Sequence, residues 1–138
     1  MPMYYDGNEI PSCPAVRIHI QGITEVGGAP SFLDCAPFDA LVDTGADVTC
    51  IPEWVIGETS VIYQYLPISY GDGPDELGKF LYIEDATIDF LDDQDQILLN
   101  GQYDDLLLLI VDNALLGRDV LNRHHCSLDG PNEVCLIR

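Results

Sequence analysis

Apolar and polar residues alternate with a period of two along much of this chain, the spacing of a half-buried β-strand. In AVRIHIQGI (15–23), Val16, Ile18 and Ile20 fall on one face and Arg17 and His19 on the other. FDALVDTGA (38–46) follows a loop at EVGGAP and is apolar up to Asp43. ETSVIYQYLPISY (58–70) and KFLYIEDATIDFL (79–91) are two longer strand candidates. They are joined through GDGPDELG, whose Gly71, Gly73, Pro74 and Gly78 predict a long mobile hairpin. DDLLLLIVDNALLG (104–117) predicts a buried strand running into a turn, and RDVLNRHH (118–125) has helical spacing with Val120 and Leu121 facing inward. CSLDGPNEVCLIR (126–138) predicts a hairpin. If it turns between Gly130 and Pro131, Cys126 lies opposite Cys135, close enough for a strained, reducible bond under oxidation. The pattern is all-β with one short C-terminal helix, and it contains neither an internal repeat nor a low-complexity linker.

Length and composition narrow the class. A chain of 138 residues with 47% hydrophobic composition predicts one domain with a real core and leaves no room for a second lobe. Five Lys and Arg against 24 Asp and Glu give 5 − 24 = −19, a charge that repels phosphate backbones and anionic lipid alike. Nucleic acid and membrane partners are therefore not expected. MPMYYDGNEI has neither a basic end nor an apolar run, and the longest apolar run, Leu106 to Val111, is far short of the ~20 residues that span a bilayer. Five cysteines, an odd number without zinc-site spacing, predict reduced thiols in a cytoplasmic compartment.

The candidate chemistry sits in ALVDTGADVTCIP (40–52), where Asp43 closes an apolar run. Asp, Thr and Gly are turn formers, so the tripeptide could simply end a strand. A carboxylate at the mouth of a buried strand is nevertheless costly unless paired or hydrogen-bonded, which makes Asp43 a functional candidate. Some 70 residues later comes ALLGRDVL (114–121), two apolar residues followed by Gly, Arg and Asp before the short helix. Between the two lies the Gly-rich hairpin.

In that order and spacing, ALVDTGADVT, the hairpin and ALLGRDVL resemble the retropepsin-like aspartic proteases, the single-lobe, retroviral-type family. The resemblance covers roughly residues 15–137. It implies an acid-protease barrel with a β-hairpin flap, one lobe per chain, in a domain spanning 15–138. Residues 1–14 form an N-terminal segment without a placed counterpart, assigned to a dimer contact. It further implies an aspartic endopeptidase that needs no cofactor or metal and acts on polypeptide as a homodimer, each chain supplying one Asp43. Two carboxylates sharing one proton act as base towards water and acid towards the carbonyl oxygen. By the same resemblance Thr44 bonds across the dimer axis, Gly45 donates to the carboxylates, Ala46 keeps the groove open, and Asp47 pairs with Arg118. Gly71, Asp72 and Gly73 fall in the flap.

Other residues are read more plainly. Adjacent His124, His125 and Cys126 cannot share a face and are not expected to bind metal. DDQDQ (92–96) lacks the Gly and terminal Glu of a calcium loop and reads as a solvated turn. Trp54 is expected in the core or in a wall facing the flap. The rival to the enzyme is a peptide-binding or scaffolding module on the same dimeric fold, since fold alone does not certify turnover.

Overall fold

The computed structural model of the chain describes residues 2–6, 13–57, 59–68, 76–129 and 134–138. Gly71, Asp72 and Gly73 lie outside the described residues, as does the Gly130–Pro131 turn. Twelve strands are formed: β1 Pro2–Asp6, β2 Cys13–Val26, β3 Ala29–Asp34, β4 Phe38–Val42, β5 Cys50–Ile51, β6 Gln64–Ile68, β7 Glu76–Leu91, β8 Ile97–Gln102, β9 Asp105–Ile110, β10 Leu115–Leu116, β11 Cys126–Asp129 and β12 Val134–Ile137. A 3₁₀ turn, Glu53–Ile56, and one short helix, α1 Arg118–Leu121, complete the described elements.

Six strands close on themselves in the order β2–β4–β10–β5–β9–β7 and back to β2. Closure removes free edges, and the inward half of each alternating pattern fills the barrel. Ile18, Ile20, Ala40, Ile51, Leu81, Ile83, Ile88, Phe90, Leu108 and Leu116 are all fully buried there. Each large side chain so placed stabilises the fold by about 1.5–3 kcal/mol. Two pairings set up the site: β10 runs parallel to β4 and antiparallel to β5. The loop that leaves β4 must therefore arch over the end of β10 before returning as β5.

Outside the ring, β3 pairs with β2 and β8 with β7, while β6 and β7 form the hairpin whose stem ends at Ile68 opposite Glu76. The N-terminal strand β1 pairs antiparallel with β12 and with β2 in the same chain. Among the described residues, no helix is long and apolar enough to cross a membrane.

Several expectations need correction. The loop at EVGGAP is only a turn at Gly27 and Gly28, both at positive φ (61° and 85°), so the chain doubles back at once into β3. This is the glycine-rich hairpin chemistry that mirror-image turns require. The strand expected from residue 58 is reduced to Gln64–Ile68, preceded by a single bridge between Val61 and Val26. Strand β8 went unread because Ile97 and Leu98 point to solvent, so its apolar residues carry no inward period. Trp54 is 63% exposed instead of buried in the core. Cys126 faces Ile137, and Cys135 faces Leu128, so the expected Cys126–Cys135 register is displaced by two residues along one strand.

Candidate active site

Asp43 is the first residue after β4, half-buried where the arching loop begins. Its backbone N–H donates to the Leu116 carbonyl at 3.0 Å, which ties the loop to the end of β10. Gly45 N–H donates to Asp43 Oδ1 at 2.9 Å, and Ala46 N–H donates to the Asp43 carbonyl at 3.2 Å. The carboxylate is thus held by a tight turn of its own chain. Thr44 and Gly45 are exposed and Ala46 is half-buried, so the turn presents its apex outward.

The second motif locks this loop from beneath. Thr49, fully buried, donates through its hydroxyl to Asp119 Oδ1 at 2.7 Å and through its backbone N–H to Asp119 Oδ2 at 3.0 Å. The same hydroxyl accepts the Gly117 N–H at 3.1 Å. Asp119 Oδ1 also accepts the Val120 N–H at 2.9 Å within the first turn of the helix. Arg118 N–H donates to the Ala46 carbonyl at 2.8 Å. Gly117 makes the approach possible, since a Cβ there would sit 2.5 Å from the Val48 carbonyl oxygen. Neither Thr49 nor Asp119 was assigned a role from the sequence. The available signal was a hydroxyl residue between Val48 and Cys50 that a core could hold only with a partner.

Asp47 and Arg118 form an ion pair. Both side chains are open to solvent, 79% and 48% exposed, so within one chain the pair is a surface interaction of small energetic value. Arg118 thus acts on the loop twice, through its backbone on Ala46 and through its guanidinium on Asp47.

A second apolar cluster, separate from the barrel core, includes Cys50, which feels the charge of Asp43. Cys50, Phe80 and Leu109 are buried in it, with Val48, Ile68 and Leu115 packed against them. Burial pushes the Cys50 thiol up to about 11, with the charges of Asp119 and then Asp43 adding to the effect. Ile68 and Phe80 belong to the hairpin stem, so this cluster joins flap and site. Gly78 has no room for a side chain, because a Cβ would fall 2.9 Å from both Ile68 and Phe80. Lys79 fixes the stem from the other face, 3.0 Å from Glu53 and 4.1 Å from the centre of the Tyr63 ring.

The remaining candidates have structural partners. His124 Nε2 meets the Tyr103 hydroxyl at 2.5 Å, and its Nδ1 meets the Arg138 carbonyl at 3.2 Å. In the 92–96 turn, Asp92 Oδ1 accepts the N–H groups of Gln94 and Gln96.

A closed all-β barrel whose Asp-Thr-Gly loop is locked by a Gly-Arg-Asp helix start is the architecture of a single-lobe acid protease. The family model described as retroviral aspartyl protease matches residues 11–64, a span that contains Asp43 but stops before Arg118. Over that span the chain is similar to the retroviral aspartyl proteases. No curated protein matches it significantly.

Proposed function

We propose that the protein is an aspartic endopeptidase in which Asp43 of two copies of the chain forms one catalytic pair. The observation that carries this reading is the held, outward-facing Asp43 turn on a single-lobe fold. Acid–base catalysis by carboxylates needs two of them sharing a proton, and this chain has one Asp-Thr-Gly. A two-fold symmetric homodimer supplies the other on its axis. One carboxylate takes a proton from water as the other gives its proton to the carbonyl oxygen. The C–N bond of the resulting diol then breaks as the first passes the water proton to the amine nitrogen and the second takes back a diol proton. No cofactor enters. The apolar cluster of Val48, Ile68 and Leu115 offers a surface for an apolar side chain of the bound polypeptide next to the reacting bond. Thr44, exposed in the single chain, is then free to bond across the axis, and the Gly71–Gly73 tip would cover the substrate. The free thiols Cys35, Cys50 and Cys126 suit a reducing, cytoplasmic compartment.

Incubation with a peptide library, with and without a transition-state-mimicking inhibitor of aspartic proteases, tests the proposal. Inhibitor-sensitive cleavage within a limited pH band supports it, because the pair works only when singly protonated. Binding of peptides without cleavage would favour the scaffolding alternative.

A further inference from the structure

Far from Asp43, strands β2 and β7 part company. They pair from Arg17 opposite Leu91 to Gln21 opposite Thr87, then slip, and Ile23 faces Glu84 as the last partner. Beyond that point Thr24 bridges the gap with its hydroxyl, which donates to the Tyr82 carbonyl at 2.8 Å. The segment before β6 enters the opening, with Ile62 N–H on the Glu25 carbonyl at 3.1 Å. The result is a cleft of about 280 Å³ lined by Ile23, Pro30, Ile62 and Tyr82, with Glu25 and Glu84 among its walls. Nine residues of strand separate Thr24 from Ala15, which pairs beside the catalytic loop, a path of roughly 30 Å.

Its charge is lopsided. Glu25 and Glu84 are exposed, Asp105 lies opposite Glu84 across the β7–β9 pairing, and Asp105 also takes the Tyr82 hydroxyl. Among the described residues the cations with ion partners are engaged elsewhere: Arg17 with Asp39 and Asp95, Lys79 with Glu53, Arg118 with Asp47. A tyrosine-lined cleft of mixed polarity, with Glu25 and Glu84 on its walls and no ion pair to either among the described residues, complements a cation on an apolar stem. Its volume falls below that of typical cofactor and drug-sized sites, and suits one side chain. A guanidinium fits better than an ammonium, because its planar fork can engage two carboxylates and rest on an aromatic ring.

We infer that this cleft binds an arginine side chain of a polypeptide partner, at a place distinct from the catalytic loop. The inference does not depend on Asp43 chemistry, so protease activity and arginine binding fail or succeed separately.

The test is amide chemical-shift mapping of the wild-type protein with Nα-acetyl-arginine methylamide, against its neutral isostere Nα-acetyl-citrulline methylamide. The expected result is saturable shifts at Thr24, Glu25, Ile62, Gln64 and Tyr82, with binding about fivefold weaker for the citrulline probe. The double substitution E25Q with E84Q keeps shape and removes the charge; it should abolish the discrimination while the spectrum stays folded. Equal binding of the two probes, shifts confined to residues around Asp43, or no saturable shift would each overturn the inference. So would retained discrimination in the double variant.

Discussion

Asp119 and Arg118 are adjacent in the chain, yet their removal carries very different costs. Asp119→Ala strips partners from the buried Thr49 hydroxyl and N–H, and an orphaned buried group costs about 1–3 kcal/mol. Urea unfolding of that variant should show a loss of about 2–4 kcal/mol, and a loss below about 0.5 kcal/mol would contradict the lock. Arg118→Ala breaks a solvent-exposed pair, so the stability of the isolated chain should fall by less than about 1 kcal/mol. If the pair abuts the second subunit, the same variant should weaken dimerisation and lower activity together, which sedimentation and turnover measured side by side will show. The buried thiols give a pH signature. Burial raises Cys35 to about 12 and Cys50 to about 11, so the folded state holds protons that the unfolded chain releases near 9. This stability is therefore complete below about pH 9 and lost between about pH 9 and 12, by a few kcal/mol in total. Cys50→Val should flatten that alkaline decline; an unchanged slope between pH 8 and 10.5 would rule out the contribution.

At the scale of elements, the crossing of β10 beneath the Asp43 loop is the feature most sensitive to volume. Gly117→Ala places a methyl 2.5 Å from a backbone oxygen, where no flexible side chain can give way. The expected cost is about 2–3 kcal/mol, with activity lost before the fold, read by comparing thermal melts with turnover. Strands whose alternation faced the barrel were legible from the sequence: Val16, Ile18 and Ile20 of β2 are all buried, and Val120 and Leu121 of α1 face inward. Outside the ring, β8 was not, and β6 was expected only as part of a longer strand. Strand β8 exposes its large apolar residues, and β6 is polar or exposed on nearly every position, so neither shows the two-fold period that burial imposes. The C-terminal register was also beyond reach, because moving the turn centre by one residue changes every facing pair. Around the site, local motifs marked Asp43 and Arg118. The Thr49–Asp119 lock spans 70 residues and exists only once β10 lies between β4 and β5.

For the whole molecule, one lobe with one Asp-Thr-Gly and a net charge of −19 leaves the proposed mechanism dependent on a second copy of the chain. Dimerisation must bring two strongly anionic chains together, so it should tighten as salt rises towards physiological levels, where the Debye length shortens to about 8 Å. Sedimentation at about 10 mM and about 150 mM salt checks this; tighter association at low salt would point to a different interface. The most direct measurement mixes wild type with Asp43→Asn at fixed total protein. Asn keeps the shape of the turn but cannot supply an ionised base, so any dimer containing it should be inactive. With tagged subunits confirming free exchange and equal pairing, a wild-type fraction f leaves f² of the dimers active. An equal mixture should then keep about one quarter of full activity. Retention of about one half, linear in f, would show that a chain catalyses alone and would contradict the shared pair.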